Sequence, residues 1–405
     1  MAPQSTPDKL IGMVPPLVIW DRAMLEYDLG GEHPFHPLRW QLTWELAERL
    51  GVLEGIELFV PPPATDEELA AVHTQAYIAA VRGASGPHRR SGSAAHGLGT
   101  SDNPVFERMH AAAALIAGGS IAGARAIASG QVKRAVNIAG GLHHAMADAA
   151  SGFCIYNDAA VAIKAMLAAG VGKVAYIDVD VHHGDGVQAA FYDDPRVLTV
   201  SIHESPLSLW PGTGWTSEIG RGPAAGTAVN IPLPAGTSDQ GWLRAFHAVV
   251  PGVVAAFKPD VLVTQHGADS HADDPLADLN LSLDGQLASY RALRCIAETA
   301  AGGRWLALGG GGYSLVNVVP RAWTHLLATV TDRDIDPATP IPQSWLDMAG
   351  AARPGSLLPR TMSDGQPADF RPWGADQGAP VDQAIAQVRG LIYPLYGLDP
   401  HDPRD

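Results

Sequence analysis

From Leu17 onward, short β-branched runs alternate with longer stretches of helical periodicity. No other feature restricts the fold as much. Strands joined through a helix are joined by a crossover, so they lie parallel. A parallel sheet needs both faces covered, and the same helices do this. The strand-like runs are LVIWD (17–21), RAVNIAGG (134–141), KVAYIDVDV (173–181), VLTVSIHE (197–204), PDVLVTQHGAD (259–269) and RWLALGGGGY (304–313). The spacing of apolar residues predicts helices over 37–50, 65–81, 106–129, 154–169, 187–192, 238–257, 284–301 and 316–330. TDEE at 65–68 supplies an N-cap and an acidic first turn. The expected fold class is α/β, a single domain over 10–330 with a mostly parallel central sheet. Beyond 330, Pro, Asp and Gly increase. Residues 331–405 read as an extension with one short helix at 381–388. They hold too little apolar material for an independent domain.

The polar residues share a position. His143 and His144 follow the second strand-like run. Asp178, Asp180, His182, His183 and Asp185 crowd the end of the third. His203, Asp269 and Tyr313 end the next three. Ligands of open parallel sheets bind beyond the carboxyl ends of the strands. Five strands are therefore expected to aim polar groups at one crevice. Strand alternation would put Asp178, Asp180 and His182 on one face. A buried unpaired carboxylate costs several kcal/mol or becomes protonated, and two together also repel. A divalent cation relieves both problems, and Asp and His suit zinc or iron(II). The bland alternative is a structural ion-pair network, but no Lys or Arg lies within AYIDVDVHHGDG (175–186). A base histidine needs its far nitrogen held by a carboxylate, so two His–Asp pairs are expected. Gly309 to Gly312 could bring backbone and the Tyr313 phenol close to a ligand. They lack the spacing of a dinucleotide loop.

The net charge of −15 and the absence of any basic run argue against nucleic acid or anionic membrane as partners. Two cysteines, Cys154 and Cys295, cannot build a disulfide framework, and reduced thiols point to a cytoplasmic protein. No signal-peptide pattern opens the sequence, and no apolar stretch reads as long enough to span a bilayer.

The ordered set GGLHHA, SGFCIYNDAAVAI, IDVDVHHGDGVQ, VSIHE, WPGTG, QHGAD and LGGGGY resembles the histone deacetylase family of the arginase/deacetylase fold. The resemblance covers roughly 17–327 and implies about eight strands. It implies a zinc-dependent lysine deacetylase, with iron(II) as the other candidate metal. By position, it implies zinc ligands at Asp180, His182 and Asp269. His143 and His144 fall on the tandem catalytic histidines, paired with Asp178 and Asp185. Tyr313 falls on the tyrosine that hydrogen-bonds the scissile carbonyl. Gly152, Phe153 and Trp210 would line the acyl-lysine tunnel. Asp102 would hold substrate backbone at the rim. Arg39 would lie near an internal cavity behind the metal. A structural potassium site would use Asp178, Asp180, His182 and Ser201, and a second would use Phe191, Asp194 and Val197. Trp210 departs from the family's usual Phe or Tyr. The implied partner is an acetylated protein such as acetyl-CoA synthetase, while oligomeric state stays open. Rival readings are an acetylpolyamine amidohydrolase, a non-catalytic acetyl-lysine reader and an arginase-like manganese hydrolase.

Overall fold

The structure is a computed structural model that describes residues 14–85, 93–374 and 379–404. The expected domain start at residue 10 lies outside these residues. The strands are β1 (Leu17–Ile19), β2 (Leu58–Phe59), β3 (Arg134–Asn137), β4 (Val174–Asp178), β5 (Val197–Glu204), β6 (Ala228–Leu233), β7 (Val261–Gln265) and β8 (Trp305–Leu308). The helices are α1 (Leu38–Arg49), α2 (Asp66–Leu69), α3 (Gln75–Ala84), α4 (Met109–Ala128), α5 (Asp158–Ala168), α6 (Asp185–Phe191), α7 (Asp239–Phe257), α8 (Leu283–Ala300), α9 (Val319–Val330), α10 (Gln343–Ala352) and α11 (Pro380–Ile392).

The strands form one eight-stranded sheet in the order β2-β1-β3-β8-β7-β4-β5-β6. Every pairing is parallel. Every residue of β3, β4, β5, β7 and β8 is buried. Side chains alternate between faces, so both faces of the sheet are covered. This is why these strands read as continuous apolar runs. β2 and β6 had no counterpart among the expected strands. β2 has only two residues, and Asn and Pro interrupt the apolar pattern of AVNIPL in β6.

Several boundaries differ from the sequence reading. The helix expected over 65–81 is two helices. Thr65 and Glu68 form a reciprocal capping box on α2, but the chain breaks at 70–74 and Thr74 caps α3 anew. The break frees His73, whose Nδ1 lies 3.0 Å from the Met146 carbonyl while its Nε2 accepts from Asn157 N at 3.0 Å. The helix expected from 154 starts at Asp158, where Asn157 caps it through Ala160 N. The third strand-like run ends at Asp178, not at Val181.

The sequence reading also found no membrane-length stretch. α4 overturns that: it has 20 residues, a mean hydropathy of 1.5 and few charges. However, 72% of its apolar window is buried inside the molecule, as expected of a core helix. Its small residues allow close approach; Gly123 lies against Leu306, Ile19 and Ala135.

The extension holds two helices, α10 and α11, instead of one. α11 packs Ile385, Val388 and Ile392 into the main core. α10 packs Trp345 and Ala349 with Leu42, Leu46, Val316 and Met362. Arg389 of α11 is fully buried and donates to the carbonyls of Ala248, Pro400 and Asp399. Its guanidinium also lies 4.0 Å from the Tyr393 ring centroid. Arg389→Ala should leave those carbonyls unsatisfied and destabilise the fold by about 2–4 kcal/mol. Chemical denaturation of the two proteins measures this, and equal midpoints would refute the anchoring role.

His73 gives the fold an acid limit. Burial, opposed only by its hydrogen bonds to Met146 and Ala147, lowers its pKa from 6.5 to about 4. The unfolded chain therefore binds a proton below pH 6.5 that the folded chain refuses. Stability from this group is complete above about pH 6.5 and falls as pH drops towards 4, by up to about 3 kcal/mol in total. Urea melts at pH 7 and pH 4.5 should show the loss. His73→Gln should flatten part of that slope, and an unchanged slope would disprove the assignment.

Candidate metal-dependent active site

β3, β8, β7 and β4 are consecutive in the sheet, and their carboxyl ends build the site. After β3 the chain turns through Gly140 and Gly141 to His143 and His144. Gly141 has φ +87°, and a Cβ there would lie 2.4 Å from the Gly309 carbonyl oxygen. Only glycine lets the loops after β3 and β8 approach this closely. Asp158, at the start of α5, clamps the turn by accepting from Gly141 N (3.1 Å), Leu142 N (2.8 Å) and Ser120 Oγ (2.6 Å).

Both His–Asp pairs are present in the geometry. His143 Nδ1 donates to Asp178 Oδ2 at 2.6 Å, and His144 Nδ1 donates to Asp185 Oδ1 at 2.7 Å. The two Nε2 atoms lie 2.9 Å apart. Their electrostatics differ. Burial lowers the His143 pKa, but Asp178 and Asp180 override it and raise the value to about 9. Burial and the charge of His143 lower His144 to about 4. The two shifts run in opposite directions, favouring the proton on His143 and disfavouring it on His144.

Asp180, His182 and Asp269 are buried and offer ligand atoms within 4.8 Å of one another. His182 Nδ1 lies 3.1 Å from Asp180 Oδ1 and 3.2 Å from Asp269 Oδ2. Burial alone would raise Asp180, but His143 and His182 hold it well below the usual carboxylate range. Burial and repulsion from Asp180 raise Asp269 to about 6. Burial opposes the charge on His182, but the two carboxylates raise it to about 10. A Cβ at Gly311 would lie 2.0 Å from Asp269 Oδ2, so glycine keeps the space beside the donors open. Two carboxylates and one imidazole in a buried cradle fit a divalent ion with a coordination position left for solvent.

Not all expected neighbours converge. Asp178 ends its strand and serves His143, Tyr176 Oη (2.7 Å) and Asp180 N (3.1 Å) instead of joining Asp180 and His182 on one face. His183 turns away to Thr213 Oγ1 and Gln188 Oε1. His203 is fully buried, with Nε2 3.0 Å from the Gly214 carbonyl and Nδ1 2.8 Å from Ser201 Oγ. The crevice is thus built by four strands, not five. Basic charge is also closer than the sequence suggested. Arg39 is buried, donates to the Gly312 carbonyl at 3.2 Å and stacks 3.8 Å from the Phe35 centroid. Burial lowers its pKa to about 10, against the raising effect of Tyr313, Asp269 and Asp180.

The mouth is aromatic. Phe153 stands edge-on to Tyr313 at 5.7 Å and to His33 at 4.6 Å. Trp210 is 45% exposed and stands 4.7 Å from His144. Gly152 lies between them; a Cβ there would meet His144 and Trp210. Asp102 is exposed, and its carbonyl lies 3.3 Å from His33 Nε2. Burial, together with Asp269 and Asp180, keeps the Tyr313 phenol protonated and able to donate. For potassium, no donor among the described residues reaches the carbonyl oxygens of Asp180 or His182. At the second implied site, the Phe191 carbonyl accepts from Asp194 N at 2.9 Å and the Asp194 carbonyl from Val197 N at 3.1 Å.

Sequence reasoning missed four residues. Asp158 fell inside the helix expected over 154–169, where nothing marked it. Tyr176 reads as a strand apolar. Gln265 donates to Asp180 Oδ2 at 2.7 Å, and its place as the first residue of QHGAD was the one available signal. Asp274 accepts from Tyr313 N at 2.8 Å. Burial and Asp269 raise it to about 8. Nothing local marks it among the acids around it.

Residues 33–330 match the histone deacetylase domain. The chain belongs to the histone deacetylase family and is a hydrolase of that family. Within it, the chain is similar to the acetoin utilization protein AcuC of Bacillus subtilis strain 168, at 42% identity over 355 residues, covering 87% of this chain and 90% of that protein. The AcuC of Staphylococcus xylosus is 38% identical over 330 residues, covering 81% and 85%. The crystal structure of an HDAC homolog from Aquifex aeolicus matches with a TM-score of 0.81 at 28% identity, covering 94% of this chain and 100% of that one. An HDAC homolog complexed with SAHA matches with the same values.

Proposed function

We propose that this chain hydrolyses the acetyl-lysine amide of proteins, releasing acetate and free lysine. The supporting observation is the meeting of two His–Asp pairs with the buried Asp180–His182–Asp269 set. Zinc, or iron(II), held by those three residues would polarise the amide carbonyl and lower the pKa of bound water towards about 7. His144, neutral and oriented by Asp185, accepts the proton of the attacking water. His143, charged beside Asp178, balances the negative charge that develops. Tyr313 donates its phenolic proton in a hydrogen bond to the oxyanion. The histidine pair then returns a proton to the leaving amine. Phe153 and Trp210 flank the lysine stem and exclude water around it.

A reader of acetyl-lysine would need neither His–Asp pair. A polyamine substrate would favour a strongly acidic mouth, while the mouth here is lined mainly by Phe153, His33 and Trp210, with the exposed acids Asp102 and, beside Tyr313, Asp273. The test is acetate release from acetyl-lysine peptides, acetylated acetyl-CoA synthetase, acetylputrescine and acetylspermidine, with metal content measured on the same preparation. Faster turnover of the polyamines would overturn the protein-lysine reading.

A further inference from the structure

The C-terminal extension shares a groove with Tyr313. A groove of about 400 Å³ runs beside the catalytic loop, lined by Tyr313, Ser314, Leu315 and Asp273 from the main body and by Arg353 and Leu357 from the extension. Leu357 is 70% exposed, among the most exposed large apolar residues described. Arg353 is exposed, and no ion pair or side-chain hydrogen bond engages its guanidinium among the described residues. Asp273 shares the groove but does not pair with Arg353; its Oδ2 accepts from Asn317 Nδ2 at 2.7 Å. A cation just past the end of α10 also eases the helix dipole. That effect does not require the groove or its continuity with Tyr313.

The backbone carrying Arg353 is firmly placed. Trp345 of α10 is fully buried and donates from Nε1 to the Leu42 carbonyl at 2.9 Å. The same apolar cluster contains Val316, three residues beyond Tyr313. One packing unit therefore fixes both the catalytic loop and the residue that follows α10. In a chain of net charge −15, an unpaired guanidinium beside the reaction centre is a local exception.

We propose that this groove binds the polypeptide flanking the acyl-lysine, with Arg353 pairing with a carboxylate side chain of the substrate and Leu357 covering an apolar neighbour. The proposal rests on the acetyl-lysine reading and deepens it: the extension selects substrates with an acidic residue near the modified lysine. The occupant is a protein segment, because only an extended chain reaches from Tyr313 to the extension while its lysine enters the tunnel.

The test uses the full chain, metal-loaded. kcat/KM is measured on a capped acetyl-lysine amide and on acetyl-lysine peptides carrying one Asp or one Lys at each flanking position. Wild type should prefer Asp over Lys by about fivefold at one or two positions, the size of one exposed charge pair. Arg353→Glu should invert that preference while turnover of the capped amide is unchanged. Leu357→Ser should weaken all peptides and spare the capped amide. Absence of a charge preference in wild type, or the same preference in Arg353→Glu, overturns the inference with the catalytic reading intact. Failure of wild type on the capped amide and on every peptide overturns the acetyl-lysine reading, and this inference with it.

Discussion

Asp180→Ala should yield a folded chain that no longer retains a divalent metal and releases almost no acetate. Loss of a supporting partner of a metal ligand costs about 10–100-fold in affinity, and loss of a ligand should exceed that. Asp180 does more than offer an oxygen. Its Oδ1 accepts from His182 N at 3.0 Å, and its Oδ2 accepts from Gln265 Nε2 at 2.7 Å and Gly311 N at 2.8 Å. Alanine leaves these buried donors without a partner, costing about 1–3 kcal/mol each where no water enters. Asp180→Asn is therefore the companion variant, since it keeps the shape and removes the charge. Both should lose the metal after dialysis, measured by atomic emission, while Asn keeps more of the thermal stability. Stoichiometric metal in either variant, with wild-type acetate release, would remove Asp180 from the ligand set.

Tyr313→Phe should behave differently. Among the described residues no group is hydrogen-bonded to the Tyr313 hydroxyl, so removing it orphans nothing in the resting protein. Fold, metal content and KM should stay close to wild type. kcat should fall by about 100- to 1000-fold, the usual cost of one oxyanion donor. The backbone N–H of residue 313 still donates to Asp274, so the loop should keep its place. A kcat within about threefold of wild type would show that the phenol does not touch the reaction, since lost transition-state contacts appear in kcat.

Much of the site could be read from local pattern. The residues of both His–Asp pairs, of the Asp180–His182–Asp269 set and the Tyr313 loop each stand where an apolar run ends in ionisable or glycine residues. What could not be read is how each carboxylate is used. Asp178 and Asp180 are two residues apart, yet one serves a histidine and the other belongs to the metal set, because the strand stops between them. Strand alternation therefore no longer holds at Asp180. Arg39 was placed only by the resemblance, because it reaches the site from a distant segment through packing. Asp274 lies only five residues beyond Asp269, but no local pattern distinguishes it from the surface acids around it.

The extension shows the same division. Its composition predicted little structure, yet Trp345, Ile385 and Tyr393 are fully buried. A segment poor in apolar residues can still dock if its few large ones meet an existing apolar surface.

The amino-acid order by itself determined that this chain forms a parallel α/β sheet and which strand ends carry ionisable groups. Both follow from periodicity and from the cost of burying charge, which are local properties. The tertiary structure decided that β3, β8, β7 and β4 are neighbours. Only that adjacency, with strands about 5 Å apart, brings His143, Asp180, Asp269 and Tyr313 within reach of one ligand. Strand order depends on packing between residues far apart in the chain, so no local pattern encodes it.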